Sequence, residues 1–159
     1  MTETTPAVVD DETYAITRVV LVRAHRSAVW AALTTPELMT EWFGDTATFD
    51  SFDVGSIGSL GWDDYGQFPI QIVELDEPSA FAYRWGQQPG RELDEESSTL
   101  VRFTLDDDPD GTRLTVVETG FNTLPGTTEY RKARAEDNRG GWNSELDELV
   151  AFLEKQDSV

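Results

Sequence analysis

The stretch Gly140–Leu153, GGWNSELDELVAFL, decides the fold of this chain. Four apolar residues recur there at spacings of four, three and four: Trp142, Leu146, Leu149 and Leu153. These spacings follow one face of an α-helix, and the helical pattern extends back to about Thr128. The sequence therefore predicts one long C-terminal helix with a single apolar face.

Two adjacent glycines, Gly140 and Gly141, lie inside the predicted helix. Each weakens a helix by about 1 kcal/mol relative to alanine, because glycine loses more backbone freedom on folding. We therefore expect a kink, or another backbone close to the helix, at this point.

The region before the helix reads as short strands separated by turns. Phe81, Tyr83 and Trp85 alternate along one strand and share one face. The stretches 99–107 and 112–119 alternate in the same way. About six such strands follow an opening strand near residues 14–23 and two short helices, the second of which begins at Pro36. This order predicts an antiparallel meander instead of βαβ units.

The predicted fold class is α+β, with a curved antiparallel sheet of six to seven strands wrapped around the long C-terminal helix. Residues 1–12 are polar and acidic and predict a flexible tail, followed by a single domain over residues 13–156. A curved sheet does not lie flat against a helix, so we expect an apolar pocket between them.

The composition excludes several classes of function. The formal net charge of −19 opposes nucleic-acid binding, which depends on basic contacts to phosphates. The chain has no cysteine and no apolar run of the ~20 residues that cross a bilayer, so we expect neither disulfides nor membrane insertion. The N-terminal residues lack the pattern of a secretory signal, and we expect a cytoplasmic protein.

Four stretches carry a resemblance to a known family: Ala28–Gly44 (AVWAALTTPELMTEWFG), Ile72–Trp85 (IVELDEPSAFAYRW), Gly111–Phe121 (GTRLTVVETGF) and Gly140–Leu153. Together they resemble the SRPBCC, or START-like, superfamily, in particular single-domain bacterial or archaeal members of the family named after the activator of the heat-shock-protein-90 ATPase. The resemblance implies the helix-grip fold. Relatives often carry a histidine where this chain has Glu118, and another where it has Asn138, so histidine chemistry does not transfer.

The resemblance also implies a ligand cavity between the sheet and the helix. Its expected lining is mainly aromatic: Trp42, Phe81, Tyr83, Trp85, Phe103, Glu118, Phe121 and Trp142. Superfamily members include lipid and hormone carriers, polyketide cyclases and aromatases. The expected ligand is accordingly a small apolar or aromatic molecule.

Few residues point to catalysis or to a metal. His25 is the only histidine and falls at a strand–helix junction, so neither a catalytic role nor a metal site is expected. The acidic run Asp106–Gly111 reads as a hairpin turn. Glu118 alternates with Leu114 and Val116, which places it on their face near the end of a strand, where it would be an acid or base if the protein is an enzyme. The directions of Glu74 and Glu118 both stay open. Both faces of the Glu74 strand carry apolar residues, and a strand that ends near Glu118 would leave its side chain solvated or paired with Arg84 or Arg139.

Three functions remain open from the sequence. The favoured one is non-enzymatic binding of a small hydrophobic or aromatic molecule, with no cofactor and with Glu118 as a polar anchor. The second is an enzyme of the cyclase, aromatase or hydrolase kind using the same cavity. The third is a stress- or chaperone-associated module with a protein partner. The sequence shows nothing like the separate N-terminal domain of co-chaperones, so direct chaperone activation is not expected.

Overall fold

The protein is described by a computed structural model that covers residues 3–90, 92–94 and 96–157. Its strands are β1 Val8–Val9, β2 Ile16–Val22, β3 Thr46–Phe49, β4 Ile57–Trp62, β5 Gly66–Asp76, β6 Ala80–Gly86, β7 Ser98–Asp108 and β8 Gly111–Thr119. Its α-helices are α1 Arg26–Thr34, α2 Pro36–Met39 and α3 Thr128–Asp157, and a short 3-10 helix spans Phe121–Thr123. The α+β prediction, with two short helices after the opening strand and a long last helix, is confirmed.

All strands join one antiparallel sheet in the order β1-β2-β8-β7-β6-β5-β4-β3. The described residues therefore form eight strands, where the sequence predicts six to seven. The additional strand is β1, which pairs with β2 through Val8 and Val9. It belongs to the segment for which the sequence predicts a flexible tail.

The N-terminal segment is held along β2 and α3 by specific hydrogen bonds. The backbone N–H of Thr5 donates to the carbonyl of Val19 at 3.0 Å, and that of Ala7 donates to Asn143 Oδ1 at 2.8 Å. Arg18 is 5% exposed, and its guanidinium donates to the carbonyls of Thr5 and Asn143. The composition of residues 1–12 indicates a tail. It does not reveal these hydrogen bonds, because their partners belong to residues far along the chain. Met1 and Thr2, also in the predicted tail, lie outside the described residues.

The long helix is continuous and buries the predicted face. Trp142, Leu146, Leu149 and Leu153 are each no more than 3% exposed. The helix continues through the glycine pair, and a Cβ atom at either glycine would meet no neighbouring heavy atom within 4 Å, so the expected close approach of another backbone is wrong. Among the strands α3 packs chiefly against β2, and it also contacts α1 and the 3-10 helix. This position leaves the β4–β6 side of the sheet less tightly covered.

A β-bulge explains why the direction of Glu74 was open. The pairing of β5 with β6 shifts between Ile72 and Glu74, which leaves Val73 unpaired and exposed. The bulge breaks the alternation of inward and outward side chains along β5. As a result Glu74 points to solvent, where it accepts two hydrogen bonds from the Arg102 guanidinium at 2.7 and 3.2 Å.

The described residues contain neither a membrane-spanning helix nor a cluster of metal ligands. No helix in residues 3–90, 92–94 and 96–157 is long and apolar enough to cross a membrane. Within the same residues no three histidine or acidic side chains gather as metal ligands. The acidic run Asp106–Gly111 forms the end of β7, the hairpin turn and the start of β8.

Candidate functional site

A cavity of about 520 Å³ lies between α3 and the part of the sheet formed by β4, β5 and β6. Its sheet side is mainly aromatic and includes Trp62, Phe68 and Trp85. Its helix side runs from Arg134 to Glu145, a distance of about 16 Å at 1.5 Å per residue. The cavity is therefore an elongated space with an aromatic wall on one side and a helix on the other.

Four aromatic rings pack against one another around one part of this wall. Phe43 stacks on Trp142 with ring centroids 5.5 Å apart. Trp85 meets Trp142 edge-on at 6.1 Å, and Trp62 lies 5.9 Å from Trp85. Contacts of this kind contribute about 0.5–1.5 kcal/mol each beyond simple burial. The mutual packing fixes the ring orientations.

Glu118 is completely buried and lies behind this wall. Its backbone pairs with Ile16 on one side and Val101 on the other, so the carboxylate sits in an apolar row of the sheet. Trp142 Nε1 donates to Oε1 at 2.8 Å, and Thr99 Oγ1 donates to Oε2 at 2.6 Å. The side chain shares the inner face with Leu114 and Val116, so of the directions that the sequence left open for Glu118 the structure has the inward one.

Asn138 and Gln87 extend this network to the cavity. Asn138 Nδ2 lies 3.0 and 3.1 Å from the two carboxylate oxygens of Glu118 and 3.2 Å from Gln87 Oε1. Gln87 Nε2 in turn donates to Thr99 Oγ1 at 3.0 Å. Asn138 and Gln87 both line the cavity, so a single side chain, that of Asn138, lies between the Glu118 carboxylate and the cavity.

Burial sets the protonation of Glu118. Desolvation raises its pKa to about 7, although the hydrogen bonds from Thr99, Trp142 and Asn138 and the charge of Arg134 act in the opposite direction. Burial also raises the pKa of the Tyr83 hydroxyl well above its usual value, and the nearby Glu118 charge adds to that shift. Both groups lie in the interior, where ionisation is unfavourable.

Glu145 is a second perturbed carboxyl, and it lines the cavity directly. Desolvation raises its pKa to about 8, with further contributions from the negative charges of Glu148 and Asp45. Its Oε2 is buried and accepts no hydrogen bond from the described residues. Two other cavity residues carry buried donors without a described acceptor, at Trp85 Nε1 and Arg134 Nε. These three atoms are buried within the wall and have no described hydrogen-bond partner.

A family model described as Activator of Hsp90 ATPase homolog 1-like protein matches residues 23–154. The chain belongs to this family. The resemblance on the four quoted stretches is thereby confirmed at the level of the family. No curated protein sequence matches the chain.

Solved structures share the fold of this family member. Protein MLL2253 from Mesorhizobium loti is 20% identical with a TM-score of 0.73, covering 89% of this chain and 97% of its own. DynU16, described as a putative protein in the dynemicin biosynthetic locus, is 22% identical with a TM-score of 0.69, covering 88% of this chain and 47% of its own. The Aha1 dimer from Colwellia psychrerythraea is 17% identical with a TM-score of 0.68, covering 87% of this chain and 95% of its own. At these identities the likeness shows the fold alone.

In this family member the residues expected to line a cavity divide into two groups. Trp85 and Trp142 line the observed cavity. The others are buried in the core and do not line it: Trp42, Phe81, Tyr83, Phe103, Glu118 and Phe121. Trp42, for example, donates its indole N–H to the carbonyl of Ala32 and packs between the short helices and the sheet. The space lies nearer to the β4–β6 side than the sequence suggested.

Several residues of the site were not predicted. Thr99 and Gln87, which hold the Glu118 network, come from the start of β7 and from the residue after β6. Alternation with Val101 and Phe103 placed Thr99 on the inner face, and that signal was present in the sequence. Gln87 and Glu145 carried no comparable signal, because the first lies in a polar stretch and the second is one of several acidic residues on α3.

Proposed function

We propose that the protein binds a small apolar or aromatic molecule in the cavity between α3 and strands β4–β6. The observation that carries the proposal is the cavity of about 520 Å³ with three tryptophans in its wall. Small-molecule sites in proteins fall between about 300 and 1,000 Å³ and combine apolar walls with a few polar atoms. This cavity has both features.

Glu118 supports binding by positioning the wall and not by contact with the ligand. Its carboxylate already accepts hydrogen bonds from Thr99, Asn138 and Trp142. The bond to Trp142 Nε1 fixes a tryptophan ring of the cavity before any ligand arrives. Such preorganisation lowers the entropy lost on binding.

The same geometry argues against the enzymatic alternative. A general acid or base needs to lie within about 3 Å of the group it protonates or deprotonates. Glu118 does not line the cavity, and Thr99, Asn138 and Trp142 occupy its oxygen atoms. This arrangement therefore supports a structural role for Glu118 in a binding site and not the role of catalytic acid or base that the enzymatic alternative gave it.

Native mass spectrometry of the protein as purified from cells, followed by a thermal-shift screen of aromatic and aliphatic small molecules, tests the proposal. We expect a co-purifying mass, or stabilisation that saturates with concentration, because a ligand that binds only the folded state stabilises it by about 2.7 kcal/mol at 100 times its Kd. A ligand-free protein whose melting temperature no compound raises would contradict the proposal.

A further inference from the structure

Glu145 lies at one end of the helix side of the cavity, and Arg134 lies at the other end. The two residues are eleven positions apart on α3, about three turns, so both side chains leave the same face of the helix. Arg134 already has a partner, since its Nη2 donates to Asp137 Oδ2 at 3.0 Å. Glu145 forms no ion pair or hydrogen bond with any residue in the described part of the chain. The cavity therefore has one acidic group whose charge no described residue balances.

The surroundings of Glu145 are negative. The pKa of its carboxyl is raised to about 8, first by desolvation and then by the negative charges of Glu148 and Asp45. Asp45 also accepts a hydrogen bond from the backbone N–H of Asp63 at 2.7 Å, which places it beside the β4–β5 turn. Of the two Glu145 oxygens only Oε2 is fully buried, so Oε1 keeps accessible surface. A positive charge next to Oε1 would be attracted by all three carboxylates.

Three aromatic rings of the β4–β5 hairpin line the same cavity and keep exposed surface. Trp62 ends β4, Tyr65 lies in the turn, and Phe68 belongs to β5. Tyr65 is 72% exposed, whereas Trp62 and Phe68 are half-buried with ring centroids 5.7 Å apart. A ligand can reach these rings, unlike those of Phe43 and Trp142, which are almost fully buried. The face of an aromatic ring attracts a cation as well as apolar groups.

These rings and the Glu145 carboxyl lie at the same end of the cavity. Trp62 Nε1 donates to the carbonyl of Phe43 at 2.9 Å. The Phe43 ring in turn stacks on that of Trp142, which lies one helical turn before Glu145 on α3. A cation bound there can contact a ring face and the carboxylate together. Aromatic faces combined with a negative charge recognise organic ammonium ions.

We propose that the ligand is an organic cation, with an apolar or aromatic body and an ammonium group that pairs with Glu145 and packs against Trp62. This inference rests on the proposed function and names its ligand class: cationic amines and quaternary ammonium ions instead of neutral or acidic molecules. The net charge of −19 favours the approach of such a ligand and opposes that of an acid. When the cation binds near neutral pH, Glu145 releases its proton to solvent, because the positive charge stabilises the carboxylate.

Two probes of the same shape separate a charged from a neutral ligand. Phenyltrimethylammonium and tert-butylbenzene differ only in the nitrogen that replaces the quaternary carbon, and neither of them titrates. Isothermal titration calorimetry at about pH 9, above the pKa of about 8, keeps Glu145 ionised before the ligand binds. We expect the wild-type protein to bind the cation at least about tenfold more tightly than the neutral probe. Equal affinities, or tighter binding of tert-butylbenzene, would overturn the inference.

The Glu145→Gln variant tests the acidic group itself. Glutamine keeps the size of the side chain and removes a charge that desolvation opposes, so the melting temperature at this pH should not fall. We expect the affinity for phenyltrimethylammonium to fall at least about tenfold and that for tert-butylbenzene to change by less than about twofold.

Glu129→Gln is the matched control for net charge. Glu129 is exposed on the same helix, about 24 Å from Glu145 along its axis, and does not line the cavity. The two variants have the same net charge, so any long-range attraction of a cation to the acidic chain is reduced equally in both. We expect Glu129→Gln to bind phenyltrimethylammonium within about twofold of wild type. Equal losses of cation affinity in the two variants would assign the attraction to net charge and overturn the proposed site.

The outcomes distinguish this inference from the proposed function. Wild-type protein that binds neither probe, and no compound of the thermal-shift screen, contradicts both. Wild-type protein that binds tert-butylbenzene or another neutral compound, but not the cation, overturns the ammonium site and leaves the binding function standing. If Glu145→Gln lowers the melting temperature, the ratio of the two affinities decides. A variant that binds both probes equally supports the site, and one that keeps the tenfold preference of about 1.4 kcal/mol overturns it.

Discussion

Trp142 Nε1 donates a hydrogen bond of 2.8 Å to Glu118 Oε1, and this bond joins the middle of α3 to the end of β8. Both side chains are at most 2% exposed. The indole ring of Trp142 lines the cavity on its other side. A buried carboxylate therefore determines the position of a cavity wall without forming part of its surface.

Replacing Glu118 with alanine should destabilise the fold. The change leaves the donors of Thr99 and Trp142 buried without this acceptor, and each unsatisfied buried group costs about 1–3 kcal/mol, whereas Asn138 keeps Gln87 Oε1 as an acceptor. We expect a loss of about 3 kcal/mol or more in the free energy of unfolding, measured by urea denaturation. Glu74→Ala is the control, because it removes only a surface ion pair with Arg102 and should cost less than about 1 kcal/mol. Equal losses in the two variants would contradict a structural role for Glu118.

The stability of the protein should depend on pH through Glu118. Its folded-state pKa of about 7 lies above the ordinary value of 4.5, so the folded state binds more protons between these values and the stability falls as the pH rises from 4.5 through 7. We expect wild type to lose about 2 kcal/mol relative to Glu118→Gln between pH 5.5 and 8.5. Urea denaturation of both proteins at each pH measures this difference. Glu145, whose pKa is about 8, is common to both proteins and cancels. A pH-independent difference would show that Glu118 does not titrate in this range.

Arg18 should contribute more to the free energy of unfolding than its salt bridge with Asp147 alone. Its guanidinium bonds the carbonyls of Thr5, Trp142 and Asn143 in addition to Asp147. Arg18→Met keeps most of the apolar stem and removes these donors, so we expect a loss of about 2–3 kcal/mol by urea denaturation. Asp147→Asn removes only the charge of a partner that is 66% exposed and should cost less than about 1 kcal/mol. A larger loss of stability in Asp147→Asn than in Arg18→Met would show that the ion pair makes the main contribution.

Trp85→Phe should remove a buried N–H at little cost in stability. The variant keeps an aromatic ring in the wall and removes a donor that has no described acceptor, so the free energy of unfolding should not fall by more than about 1 kcal/mol. Urea denaturation of both proteins measures this difference, and a larger loss would show that the packing of the indole ring outweighs the removal of its N–H.

The sequence predicted the fold through patterns that extend over whole elements. The α3 stripe from Trp142 to Leu153 and the alternation of Leu114, Val116 and Glu118 are both observed. The direction of a side chain could not be predicted where the alternation is interrupted. The unpaired Val73 reverses the direction of the residues that follow it, and for this reason the sequence did not show which way Glu74 points. A bulge depends on the pairing with β6, which a single strand does not encode.

The site was less predictable, because its shape depends on where α3 lies across the sheet. The helix packs against β2, so the space forms next to Trp62 and Trp85 and not next to Phe81 and Phe103. The Arg18 contacts with Trp142 and Asn143 help to fix that position, and they join residues more than 120 positions apart. The glycine pair was noticed in the sequence, but its expected close backbone contact was wrong, since open space lies beside it.

The hydrogen bond between Ala7 and Asn143 spans 136 positions of the chain, which has a consequence for synthesis. During translation the first strand has no complete docking surface until almost the whole polypeptide has left the ribosome. Until then Phe103 on β7 lacks the edge-on contact of the Trp142 ring at 5.7 Å, and α1, whose Trp30 meets Phe81, covers only part of the inner face. A nascent chain halted before Thr128 would expose part of this aromatic surface and be prone to aggregation, so synthesis of the 30-residue helix α3 is the step that completes the cover of the sheet.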